Sequence, residues 1–140
     1  MKIVLKNATI VDPKSGFHQQ KMDIEITAGV LTQIAPSIAI NANDNAVELD
    51  NLHVSPGWFD SSVSLGEPGY EDRETIANGL RVAAKSGFTG IALQPNTLPV
   101  LDNQSQIQFV KNKAQGFATE LFPIGAFTKE SAGKDMAELF

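Results

Sequence analysis

The chain has 140 residues, 42% of them hydrophobic and 19% charged, a globular composition with enough length to bury a core and too much apolar content for a disordered chain. Sixteen acidic residues against 11 basic give a formal net charge of −5, and the Lys and Arg residues are scattered with no basic stripe to follow a phosphate backbone, which excludes a nucleic-acid partner. The lack of cysteine removes disulfides, thiolate zinc sites and cysteine nucleophiles. No apolar run reaches transmembrane length, and residues 1–6 are too short for a signal peptide before Asn7 interrupts them, so the expectation is a cytoplasmic protein with no membrane association.

A shift in composition near residue 52 divides the chain into segments 1–52 and 53–140. In the first, β-branched stretches at 2–5, 8–11, 22–26, 30–34 and 47–49 alternate with turn signals at Asp12-Pro13, Ser15-Gly16, Ala28-Gly29 and the 41–45 cluster. This pattern predicts a small antiparallel β-unit.

In the second segment, strand-like and helix-like stretches alternate, the pattern of βα units on a parallel sheet. A strand is predicted over 54–65, then a helix from near Glu71 whose apolar positions Ile76, Leu80, Ala83 and Ala84 form one buried stripe, ended by Gly87. A second strand covers 88–93 and stops at Pro95. Asn103 is placed to cap a second helix, with Ile107, Val110 and Ala114 as its stripe and Gly116 at its end. A third strand is expected over about 118–127, with Pro123 unable to donate to the ladder in its middle. From Lys134 a third helix is predicted, about two turns long at Phe140 and uncapped, an ending that reads as truncation.

Two runs carry a resemblance: P-G-W-F-D-S-S-V-S-L-G-E-P-G-Y-E at 56–71 and G-F-T-G-I-A-L-Q-P-N-T-L-P-V-L-D-N at 87–103. With the short β-unit before them, their order and spacing resemble the amino-terminal part of dihydroorotase in its long-chain form, an amidohydrolase family related to dihydropyrimidinases and allantoinases. The resemblance implies a distorted TIM barrel with a β-sandwich assembled from both chain ends. It implies zinc-dependent interconversion of carbamoyl aspartate and dihydroorotate in pyrimidine biosynthesis. The fold class expected for this chain is therefore α/β: half of a β-sandwich followed by about three βα units of an incomplete TIM barrel. Such a barrel needs about eight units and roughly 250 residues. Three strands alone leave an apolar interior open, so the chain is expected to be a fragment, or to have that face covered by the rest of its own barrel or another subunit, including a second copy in a homo-oligomer.

Ser62 and Ser64 are the decisive residues. Strand alternation puts Asp60, Ser62 and Ser64 on one face, and the resemblance matches both serines to zinc-binding histidines. A neutral hydroxyl is a poor zinc ligand beside imidazole, carboxylate or thiolate, and without the ion the attacking water is not acidified. The expectation is therefore no metal ligand, no cofactor and no catalytic residue in this chain. Gly66 matches the arginine that clamps the substrate carboxylate and has no side chain with which to do so. Asn96 matches an asparagine that contacts the same carboxylate, which makes it the one candidate substrate-binding residue. The alternative for Asn96 is a bond within the turn between Pro95 and Pro99.

Other combinations are weaker. His18 and His53 are the only histidines and more simply exposed or capping residues than a metal pair. Neither serine has a histidine base or a G-x-S-x-G elbow to make it a nucleophile. The acidic group Glu67, Glu71, Asp72 and Glu74 suits the amino end of a helix rather than acid–base chemistry. Two readings remain: a dihydroorotase with an altered metal site, or a non-catalytic dihydroorotase-like scaffold assembling with aspartate carbamoyltransferase.

Overall fold

A computed structural model describes residues 2–139. They form two compact units that meet in the sequence at Pro56 and Gly57.

The first unit is one sheet of β1 (Lys2–Ile10), β2 (Lys21–Thr27), β3 (Val30–Ala35), β4 (Asn45–Glu48) and β5 (His53–Val54). Its order is β3-β2-β1-β4, with β5 also beside β1. The β1, β2 and β3 pairings are antiparallel, but β4 and β5 run parallel to β1. The expected antiparallel unit is thus a mixed sheet. Its cause is the connection 36–44, which carries the chain from the β3 edge to the opposite edge and returns β4 in the direction of β1. Ala28 and Gly29, both at positive φ (52° and 81°), form the two-residue turn that matches strand twist in a hairpin. Ala8, Ile10, Met22 and Ile24 are buried at the centre of the unit.

Residues 2–10 make one strand where the sequence suggested two. The register shifts between Leu5 and Ala8, where Asn7 takes φ 52°, a left-handed conformation that asparagine tolerates better than most residues. Its N–H, displaced from the ladder, donates to Asp23 Oδ1 at 3.0 Å.

The second unit is a parallel sheet in the order β6-β7-β8, built from β6 (Trp58–Val63), β7 (Phe88–Leu93) and β8 (Glu120–Pro123), with helices α1 (Ile76–Lys85) and α2 (Gln104–Lys113) in the crossovers. The strand predicted over 54–65 is therefore two. Val54 pairs with β1, and the chain passes through Ser55-Pro56-Gly57 before Trp58 N–H bonds the Gly87 carbonyl at 2.9 Å. Leu65, Ile76, Leu80, Ile91, Leu93, Leu101, Val110 and Leu121 form the core under the two helices.

Helix α1 begins five residues after Glu71. Its N-cap is Thr75, whose hydroxyl accepts from Asn78 N–H at 3.2 Å, and no acidic residue lies in its first turn. Residues 66–74 form turns instead. Asn103 caps α2 as expected, accepting from Gln106 N–H at 3.1 Å. The third strand is shorter than predicted, because Pro123 ends it.

The helix predicted from Lys134 does not form. A single 3-10 turn spans Lys129–Ser131, Gly133 sits at φ 73°, and isolated bridges join Thr128 to Met136 and Asn103 to Glu138. The segment folds back on itself as a loop, and Asp102 offers it acceptors: its carbonyl takes Glu138 N–H at 2.9 Å and its carboxylate takes Glu130 N–H at 2.8 Å. Phe140 lies outside the described residues.

Candidate functional site

The carboxyl ends of β6 and β7 carry the residues singled out from the sequence. Phe59 pairs with Gly90, Asp60 with Ile91 and Val63 with Leu93, so Ser61 and Ser62 stand where β7 supplies one residue, Ala92. This is a bulge, and it breaks the alternation between Asp60 and Ser62. Asp60 turns its carboxylate to the bulge itself, Oδ1 accepting Ser62 N–H at 3.0 Å. The expectation that Asp60 shares a face with both serines is corrected accordingly.

Ser62 and Ser64 do share a side. Gln94 Nε2 donates to Ser62 Oγ at 3.4 Å and Asn96 Nδ2 donates to Ser64 Oγ at 2.8 Å. The first bond is long and the second is well formed. Two side-chain amides, two residues apart beyond β7, are thus matched with two hydroxyls two residues apart on β6. Asn96 does not brace its own turn. That bond is made by Thr97, buried, whose hydroxyl donates to the Pro99 carbonyl at 2.8 Å.

Gly66 follows directly and lies in a tight place. A Cβ there would sit 1.9 Å from the Tyr70 carbonyl oxygen and 2.8 Å from that of Glu74. The same backbone is stapled by Gly66 N–H to the Glu74 carbonyl at 3.0 Å and Tyr70 N–H to the Gly66 carbonyl at 2.8 Å. At Gly69, φ 95°, a Cβ would meet the Leu98 carbonyl oxygen at 2.0 Å, and Leu98 N–H bonds the Pro68 carbonyl at 2.9 Å. The loops after β6 and β7 therefore pack backbone against backbone.

Of the acidic group, Glu67 is 6% exposed and has a defined structural job. Its Oε2 accepts Ile76 N–H at the start of α1 at 2.9 Å, and its Oε1 pairs with Lys113 Nζ of α2 at 2.9 Å. Glu71 accepts Gly69 N–H at 2.9 Å, and that bond holds its carboxyl below the ordinary value. Glu74 accepts from Thr75 N–H and Asn78 Nδ2. These carboxylates are engaged with the loop and the helix start, not with one another.

The histidines fall in the first unit. His18 Nδ1 is buried without a partner, and His53 Nδ1 lies 2.9 Å from the Asn51 carbonyl. Among the described residues no group of three or more His, Cys, Asp or Glu side chains is gathered as a metal site. The donors at the end of β6 are two neutral hydroxyls already bonded to amides, a set that does not fit a zinc ion.

The sheet face opposite the helices carries features that sequence reading passed over. Phe59 and Phe122, 58% and 43% exposed, meet edge to face with centroids 5.7 Å apart. They meet over Gly90, where a Cβ would approach the Phe59 ring to 2.8 Å. A lone glycine inside a strand pattern signals such close approach, and that signal was present in G-F-T-G-I-A-L.

A sequence model of the Dihydro-orotase-like family matches residues 51–139. The chain is 39% identical to a dihydroorotase of Ruminiclostridium cellulolyticum over 141 aligned positions, and 40% identical to one of Pelotomaculum thermopropionicum over 139. Each alignment takes in 99% of this chain and 32% of the relative, so the chain spans about a third of their length. Among solved structures, L-hydantoinase (dihydropyrimidinase) from Arthrobacter aurescens superposes with TM-score 0.74 at 20% identity, over 90% of this chain and 28% of that one. A dihydroorotase structure superposes with TM-score 0.65 at 16% identity, over 92% and 32%. These likenesses show the fold, that of part of a TIM barrel. The residues matched and the extent of identity together place the chain in the dihydroorotase-like family.

Proposed function

We propose that this chain serves pyrimidine biosynthesis as a dihydroorotase-like barrel segment without hydrolytic activity of its own. One observation supports the reading above others: Ser62 and Ser64, at the positions the resemblance assigns to zinc histidines, spend their hydroxyls on Gln94 and Asn96. A second supports it independently, since the position assigned to the carboxylate clamp is Gly66, enclosed by the Tyr70 and Glu74 carbonyls. Asn96 stays the one candidate for substrate contact, through the amide oxygen that its bond to Ser64 leaves available.

Its role under this reading is assembly. The Phe59 and Phe122 face suits further barrel strands, supplied by a longer chain or a second polypeptide, and aspartate carbamoyltransferase is the partner enzyme the scaffold role names. The purified chain, supplied with zinc and either carbamoyl aspartate or dihydroorotate, is expected to give no interconversion above buffer. Zinc-dependent turnover that disappears on chelation would overturn the reading.

A further inference from the structure

We infer that the carboxyl end of the β6–β7 sheet is held together without a metal and is closed to a side chain at position 66. Two serine–amide pairs tie the strand ends together there, and the loop over 66–74 fills the space that any side chain at position 66 would enter. The inference rests on the non-catalytic reading above and goes further, because it states what holds this region together and why position 66 has no room for a side chain.

The ties come first. Side chains add to the backbone pairing where β6 and β7 end side by side. Here the bulge at Ser61 and Ser62 turns β6 so that Ser62 and Ser64 lie beside the extension of β7. Asn96 and Gln94 reach across with bonds of 2.8 and 3.4 Å, and Gln94 N–H adds a backbone bond to the Val63 carbonyl at 2.8 Å. Each tie joins residues 32 apart in sequence, so it fixes a long-range contact with neutral groups that need no ion.

The closure comes second. At Gly66 the intruding atoms are backbone carbonyl oxygens, 1.9 and 2.8 Å from an added Cβ. Backbone held by its own hydrogen bonds cannot swing aside as a flexible side chain can. The Tyr70 and Glu74 carbonyls are fixed from both sides: Tyr70 also accepts Arg73 N–H at 3.0 Å, and the Gly66 staple holds Glu74. Glu67, buried on Ile76 N–H and Lys113, anchors the same loop to both helices. Even a methyl group at 66 requires the loop to be rebuilt.

The experiment uses the full 140-residue chain and three variants: Gly66→Ala, Asn96→Ala, and Gly16→Ala as a control, since a Cβ at Gly16 meets nothing within 4 Å. Melting temperature is read in excess zinc and in chelator, and bound zinc by elemental analysis. The parent is expected to melt within about 1 °C in the two conditions, Gly66→Ala to melt lower by about 5 °C or more, and Asn96→Ala lower by about 3 °C. Gly16→Ala is expected to melt with the parent, and zinc to stay far below one ion per chain throughout. Stoichiometric zinc that raises the parent's melting temperature would overturn the claim that no metal holds this region. Gly66→Ala melting with the parent would overturn the closure, and should that variant not fold, unchanged melting of Asn96→Ala overturns the ties. Turnover is assayed separately, so hydrolysis by a chain that passes these tests would refute the non-catalytic reading and leave the ties and the closure as described.

Discussion

Asp23 is 1% exposed on β2, a position at which an unpaired carboxylate would cost several kcal/mol. It is fully engaged: Oδ1 accepts Asn7 N–H at 3.0 Å, Oδ2 accepts Ile38 N–H at 2.8 Å, and Lys6 pairs with it. One side chain thereby fixes the bulge in β1 and the entry to the 36–44 crossover. Burial pushes its carboxyl up, but the Lys6 ammonium and the two N–H groups outweigh burial, and the group titrates below the ordinary value of 3.8. With the folded value depressed, the unfolded chain binds more protons in the window below 3.8. The stabilisation is therefore complete above that pH and lost as pH falls through the folded value. Asp23→Ala is expected to lose about 3 kcal/mol in urea unfolding at neutral pH, and the gap between variant and parent is expected to close as the pH is taken below 3.8. A gap that stays constant through acid would show that the carboxylate's charge contributes nothing.

At the scale of elements, the start of α1 shows that a charge pattern can point to a helix end without identifying its cap. Four acidic residues between 67 and 74 suggested a helix dipole site, yet the side chain that caps the helix is Thr75. The carboxylate that meets its amino end is Glu67, nine residues before Ile76. Thr75→Ala is expected to cost about 1 kcal/mol. Glu67→Ala is expected to cost about 2 kcal/mol, because it leaves Ile76 N–H buried without its acceptor and frees Lys113. Equal costs for the two, measured by chemical denaturation, would mean that Glu67 is not the anchor of the loop. The Ile76 and Leu80 stripe, the Asn103 cap and the stop at Gly87 were legible because each is local: a 3.6-residue period, a side chain reaching three residues on, a left-handed backbone. The bulge at Ser61 and Ser62 was not, since alternation says nothing of the register a neighbouring strand imposes. Nor was the parallel return of β4, which a crossover decides, or the loop over 128–138, which distant Asp102 holds through Glu130 and Glu138. At the candidate site the serines and Gly66 could be found by position alone. The serines' partners Gln94 and Asn96 lie beyond another strand and only folding brings them in, whereas Tyr70 crowds Gly66 from within the same loop.

For the molecule as a whole, the question is what each unit leaves uncovered. Among the described residues no helix is long and apolar enough to cross a membrane. In the first unit, Val30 and Leu31 are 62% and 54% exposed, and a cavity of about 230 Å³ is lined by Ile10, Ile24, Leu31, Ile34 and Val54. In the second, α1 and α2 cover one face of a parallel sheet, while the other presents Phe59 and Phe122. Parallel sheets are ordinarily buried on both faces, and two unpaired edges, β6 and β8, flank this one. An apolar face of this kind drives association when nothing else covers it. The purified chain is therefore expected to associate with itself in sedimentation as concentration rises, and to bind a hydrophobic dye. Phe59→Ser with Phe122→Ser is expected to weaken both by several-fold while lowering stability by no more than about 2 kcal/mol, because the rings are already half in water and little area is lost from the core. If the double variant associates as strongly as the parent, the contact lies elsewhere, and the exposed strand edges or the Val30 and Leu31 surface become the places to substitute next. If association falls and folding holds, the same two rings mark where further barrel strands would seat, since those strands would bury the apolar face that self-association covers.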